Sequence, residues 1–124
     1  MPTPRPKYLN LIRIRLPLPG IVSILHRISG AALFIFMPLL LYLFGSSVDS
    51  PTGFGTVATG MSSPLFKLLL FGLMWAFLHH VCAGVRYLAL DLDYGTDLVK
   101  ARASSKMVLA VSIGLTVVLG AKLW

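Results

Sequence analysis

Glutamate is absent from this 124-residue chain, and its whole acidic complement is Asp49, Asp91, Asp93 and Asp97. One cysteine, Cys82, excludes an intrachain disulfide and a zinc site built from cysteines alone. Charge of either sign is scarce: 12% of residues are charged, against about 25% in a soluble domain. So small a charged set cannot coat a water-facing surface. The deficit excludes a soluble enzyme, an independent nucleic-acid binder and a disordered tail.

What is present is apolar and basic. Hydrophobic residues make up 56% of the chain, and the formal net charge is +7. Three apolar stretches stand out, at about residues 21–44, 65–90 and 107–124. A helix needs about 20 apolar residues to cross a bilayer, within a range of roughly 17–25. The expectation is an all-α integral membrane protein with three transmembrane helices. It forms a single membrane-anchor domain over 1–124, with an N-terminal lead-in at 1–20 and no repeat or second domain. The first stretch is too long for the apolar region of a signal peptide. The prolines before it, Pro2, Pro4, Pro6, Pro17 and Pro19, suit an extended lead-in.

The charges orient the spans. Arg5, Lys7, Arg13, Arg15 and Arg27 lie at or before the start of the first span. The segment between spans one and two carries Asp49 and no basic residue before Lys67, which sits at the start of span two and can extend its amine to the head groups. Lys100, Arg102 and Lys106 follow span two. Positive-inside reasoning puts the N-terminus and the second connection in the cytoplasm, and the first connection and the C-terminus outside. The Gly-, Ser-, Thr- and Pro-rich stretch from Ser46 to Pro64 reads as a flexible connection. Span three holds little polar beyond Ser112 and Thr116 and reads as a packing helix.

A charged side chain at the bilayer centre costs at least about 2.5–3.5 kcal/mol, so ionisable residues within spans are functional candidates. Ser23, His26 and Arg27 lie at neighbouring helical positions near the basic end of span one. They fit either an interfacial anchor gripping lipid phosphate or a polar pocket for a quinone carbonyl or cofactor carboxylates. Gly30, Ala31 and Ala32 follow and would let a helix or flat ligand approach closely. In span two, one helical stripe reads His80, Gly84, Tyr87, Asp91 and the next reads His79, Ala83, Arg86, Leu90. Glycine one turn after histidine leaves room for a planar macrocycle, and an imidazole in a helix bundle is a normal haem ligand. A core histidine bonded to another helix fits the residues equally. At 1.5 Å per residue, His80 lies about 16 Å from its span end and His26 about 9 Å from its own. The two are therefore expected at different depths and not as opposite ligands of one iron. Pro38 should bend span one, and Gly72 with Ala76 makes a small-residue packing pair.

The run Ser23-Ile24-Leu25-His26-Arg27-Ile28-Ser29-Gly30 resembles the S-x-x-H-R-x-[ST]-G motif of the cytochrome b556 subunits of succinate dehydrogenase. The run from His80 through Gly84, Arg86 and Tyr87 to Asp91 is similar to their H-x-x-x-G-x-R-[HY]-x-x-x-D motif. Arg5-Pro6 followed by Leu9-Asn10-Leu11 resembles their lead-in. Length, spans and orientation match over essentially the whole chain. Two departures stand out: Tyr87 replaces a histidine common in relatives, and the S-P-H lead-in of mitochondrial members is missing. His79 beside His80 leaves two candidate ligands, and the spacing to Gly84 and Arg86 favours His80.

The resemblance implies an anchor with no independent catalytic activity. It would join a flavoprotein subunit, an iron–sulfur subunit and a second small membrane-anchor subunit, forming with the latter a larger helix bundle. It implies haem b with His80 as one axial ligand and the other from the second anchor. It further implies Gly84 against the haem, His26, Arg27 and Arg86 near its propionates, and Ser23 and Arg27 at a ubiquinone site. The membrane would be the bacterial inner membrane, with the mitochondrial inner membrane as the alternative. A fumarate reductase anchor and a haem-free anchor are the rival functions. A channel or transporter subunit would need polar residues through the full depth of the membrane, and they are confined to one half.

The orientation is open to a direct check. A periplasm-dependent reporter fused after Trp124 should be active, and one inserted between residues 93 and 97 inactive.

Overall fold

The computed structural model describes residues 3–5, 7, 10 and 12–124. Pro2, Pro6, Leu9 and Leu11 of the lead-in lie outside the described residues. Among the described residues the regular structure is all helical: α1 (Leu18–Asp49), α2 (Pro51–Met61), α3 (Pro64–Asp91) and α4 (Leu98–Leu123). Three of these, α1, α3 and α4, are long and apolar enough to cross a membrane. With 32, 28 and 26 residues, they run about 48, 42 and 39 Å at 1.5 Å per residue, more than a hydrocarbon core of about 30 Å.

The helix starts follow local chemistry. Pro17, Pro51 and Pro64 each stand at or just before a first turn, where a missing N–H costs nothing. The Asp97 carboxylate caps α4 by accepting from the Lys100 N–H at 3.3 Å, next to an exposed 3.7 Å ion pair with Lys100. Pro38 lies inside α1 and removes one backbone bond there.

Two sequence expectations change. The Ser46–Pro64 connection is not a flexible loop: α1 continues to Asp49, and α2 fills most of what remains. Ser50 caps α2 by accepting from the Gly53 N–H at 3.0 Å. Thr56 and Thr59 then bond back to the carbonyls of Thr52 and Gly55, so residues that read as loop formers are satisfied on a helix. Secondly, α4 begins at Leu98 rather than near 107. Lys100, Arg102 and Lys106 therefore stand on its first turns, because hydropathy marks where apolar residues start and not where the helix is capped.

The interior holds small and polar side chains. Val22, Ala83 and Val108, one from each long helix, form the buried core, with Cys82, Tyr87 and Leu109 against it. On α4 the buried stripe is Ser105, Val108, Ser112, Thr116 and Gly120. Its hydroxyls bond back to their own helix, Ser105 to Ala101, Ser112 to Leu109 and Thr116 to Ser112. The stripe therefore packs closely without leaving unsatisfied groups. Phe34, Ile35, Tyr42, Phe77 and Val117 face outward, as lipid-facing residues should. Helix α3 is central, packing on both α1 and α4.

The α1–α2 junction depends on Gly53. A Cβ there would collide with the Ser46 backbone carbonyl oxygen, which cannot move aside like a side chain. Gly53→Ala should lower stability by about 1–3 kcal/mol, read as a reduced thermal midpoint in detergent. An unchanged midpoint would show that the junction relaxes freely.

Candidate functional site

The candidate residues gather where α1 crosses α3. At this crossing the stripe of His80, Gly84 and Tyr87 meets His26, Ser29 and Gly30. The imidazoles of His26 and His80 stack, with centroids 4.2 Å apart and planes within 7°. Each ring lies against the glycine one turn past the other histidine, His80 against Gly30 and His26 against Gly84, so the two rings meet although their backbone positions are offset by about one turn, as expected. The exclusion of His26 and His80 as opposite ligands of one iron has a second reason. Two rings lying face to face at this distance cannot aim their nitrogens at an atom between them.

His80 is held firmly. Its Nδ1 lies 3.1 Å from the His26 backbone oxygen and 3.2 Å from Ser29 Oγ. A carbonyl oxygen only accepts, so Nδ1 carries the proton, and in the neutral ring Nε2 keeps its lone pair. Gly30 permits this approach: a Cβ there would stand 2.9 Å from His80 Cε1. The expected close approach at Gly30 is therefore made by α3. On the other side of the stack, a Cβ at Gly84 would meet His26 Nε2 at 3.8 Å.

Tyr87 continues the cluster, its ring 5.1 Å from that of His26. Its Oη is buried with no hydrogen-bond partner among the described residues. The Arg86 guanidinium lies over the Tyr87 ring at 5.4 Å. It turns towards α4, where Nε donates to Ser104 Oγ at 2.8 Å and Nη2 to the Ala101 carbonyl at 3.3 Å. Arg86 is thus in the same layer as His26 but bonded on the other side of α3. Ser23 is half-buried and Arg27 exposed. They are four residues apart on α1, on either side of His26 in sequence.

His79 behaves unlike its neighbour. It is fully buried, lies 5.4 Å from the Trp75 ring and faces the Val22 backbone, with neither ring nitrogen in a well-formed hydrogen bond among the described residues. The stripe of His79, Ala83 and Arg86 is the interior face of α3. The expected pair Gly72 and Ala76 splits, Ala76 buried and Gly72 facing open space. An apolar cleft of about 420 Å³ between α3 and α4 reaches the cluster only through Arg86.

Sequence reasoning placed Ser29 within a motif without giving it work. The available signal was its spacing, three residues beyond His26 and next to a glycine, on the face that meets α3. Among the described residues no three His, Cys, Asp or Glu side chains converge as a metal-binding set, so this chain offers single ligands rather than a metal cage.

The family model for the succinate dehydrogenase/fumarate reductase transmembrane subunit matches residues 1–119. A succinate dehydrogenase cytochrome b556 subunit of Paracoccus denitrificans is 37% identical over 113 residues, covering 91% of this chain and 87% of that one. The subunit of the same name from Coxiella burnetii is 35% identical over 121 residues, 97% of each chain. That from Rickettsia felis is 29% identical over 116 residues, covering 93% and 90%.

The two adjacent histidines should respond differently to replacement. His79→Phe removes an imidazole that faces the Val22 backbone without a well-formed bond and should lower stability little. His80→Phe removes the bond to α1 and should lower it more, by about 1–3 kcal/mol for the buried acceptors left unsatisfied. The reverse order in thermal midpoints would show that His79, not His80, carries the α1–α3 contact.

Proposed function

Because this chain belongs to the succinate dehydrogenase/fumarate reductase transmembrane subunit family, we propose that it anchors a succinate-oxidising complex in the membrane, holds haem b through His80 and forms part of a ubiquinone-reduction site with Ser23 and Arg27. The observation that carries this reading is the fixed His80 ring, with Nδ1 bonded to α1 and Nε2 left to bind. Metal-ligating histidines have their second nitrogen held in this way. The His26 stack covers a face of the ring, whereas the Nε2 lone pair lies in its plane. His79, enclosed by its own chain, presents no such open nitrogen. Gly84, one turn beyond His80, leaves room that the His26 ring takes in this chain, and a haem against Gly84 would share that space with His26.

The surroundings suit a carboxylate-bearing cofactor. Arg27 follows the stacked His26 on α1, the buried Tyr87 Oη lacks an acceptor, and Arg86 adds positive charge beside Tyr87. In a low-dielectric site these groups offset the cost of two buried propionates. Haem b, when bound, supplies a one-electron store beside the quinone. A further ligand would come from the second small membrane-anchor subunit.

Ser23 Oγ would hydrogen-bond a quinone carbonyl, and Arg27 would stabilise the negative charge that grows on the ring oxygens during reduction. Protons enter from the cytoplasmic, basic end of the bundle, which is close to both residues. Succinate is oxidised on the flavoprotein subunit and electrons arrive through the iron–sulfur subunit, so this chain has no activity alone. The membrane is the bacterial inner membrane, with the N-terminus cytoplasmic and the C-terminus periplasmic. The family description also covers fumarate reductases; the relatives named above are succinate dehydrogenase subunits and favour the oxidising direction.

Reduced-minus-oxidised spectra of the purified complex test the reading. A b-type band in the wild type should be lost or shifted by His80→Ala. Arg27→Ala should lower succinate–quinone reductase activity on the order of 100-fold while succinate–dye reduction persists. Absence of the band from the wild type would overturn the haem assignment, and an unchanged band in His80→Ala would overturn His80 as ligand.

A further inference from the structure

Ser29 and Gly30 are adjacent mid-helix residues of α1, and each is a poorer helix former than alanine. Ser29 is buried, 4% exposed, so water does not explain its hydroxyl. Both residues are spent on the same partner, the His80 ring. Gly30 gives it room, since a Cβ would stand 2.9 Å from Cε1. Ser29 gives it a second acceptor.

The hydrogen atoms can be assigned in order. Ser29 Oγ lies 2.8 Å from the His26 carbonyl oxygen, which can only accept, so the hydroxyl proton points there. The lone pairs of Oγ are then free towards His80 Nδ1 at 3.2 Å. The same Nδ1 lies 3.1 Å from the His26 oxygen. One N–H is therefore shared between two oxygens, and those oxygens are joined to each other by the Ser29 hydroxyl. A triangle of this kind fixes both the tautomer and the plane of the ring.

We propose that Ser29 is a positioning residue that, together with the His26 carbonyl, sets the donor strength of His80 and so tunes the reduction potential of iron bound at Nε2. This rests on the haem reading given above. A hydrogen bond accepted from Nδ1–H shifts electron density into the ring and strengthens its donation to iron. Stronger donation favours the ferric over the ferrous state and lowers the potential. Ser29 touches neither iron nor quinone; it acts only through His80.

The test is an optical redox titration of the purified, fully assembled membrane complex, comparing wild type, Ser29→Ala and Ser29→Thr. Ser29→Ala should keep its haem and show a higher midpoint potential. Ser29→Thr, which restores the hydroxyl, should return the potential towards wild type. If Ser29→Ala fails to assemble, Ser29→Cys carries the comparison, because sulfur nearly matches the volume and accepts hydrogen bonds weakly. An unchanged potential at full haem content overturns the inference and leaves the haem reading standing. Loss of thermal stability without a shift in potential also overturns it, since that is what a purely structural serine would give. A wild-type complex without a haem band overturns the underlying reading, and the inference falls with it.

Discussion

The separation of α1 and α3 is fixed where the His80 imidazole lies on the backbone of Gly30 and shares its Nδ1 proton with the His26 carbonyl and Ser29. Much else follows from that contact. It brings the His26 ring flat against His80 and sets Tyr87 beside His26. With the His80 stripe committed to α1, the next stripe of α3 turns inward. His79, Ala83 and Arg86 are thereby buried, and Arg86 is delivered to the carbonyl and hydroxyl of α4. A slip of one residue between α1 and α3 would dissolve the cluster, because a Cβ in place of the Gly30 hydrogen cannot be accommodated at 2.9 Å.

The distribution of polarity reverses that of a soluble bundle. Large apolar side chains face outward and gain little from one another, since lipid is as apolar as they are. Cohesion comes instead from close approach at small residues and from hydrogen bonds between helices. Among the described residues, the side-chain bonds joining different long helices are those of His80 to α1 and of Arg86 to α4. Both lie in the half of the bundle where the polar candidates cluster. The residues proposed to hold the haem, His80 and Arg86, are therefore also the ones that bond the helices together.

Much of this was legible in the sequence, and the failures have physical causes. Apolar run length located three membrane helices, and the Gly30 run correctly signalled a close approach. Helix ends were harder. The α2 segment is built from residues that favour turns in water, and its helix rests on the Ser50 cap and threonine back-bonds that hydropathy does not weigh. The start of α4 was hidden because its first turns are charged and hydropathy does not register the Asp97 cap. The stripes on α3 were correctly separated by spacing, but spacing alone cannot tell which stripe faces its own chain. The stacking of His26 on His80 was missed because side chains offset by one turn on facing helices can still reach each other. Ser29 was hidden for a related reason, since its partner lies 51 residues away.

Helix α4 is joined to α3 by hydrogen bonds at one end and by contact alone at the other. Near Ala101 and Ser104 it is gripped by Arg86. At Thr116 and Gly120 its hydroxyl bonds are internal, and the closest neighbour is the Phe71 ring edge. Both ends are nevertheless close-fitting, since the Phe71 ring fills the space that a side chain at Gly120 would need, as His80 does at Gly30. When bilayer thickness departs from the apolar length of a helix, tilt is the inexpensive adjustment. Tilting α4 alone would break the Arg86 bonds or the Phe71 contact, so α3 and α4 should tilt as one body and carry His80 with them.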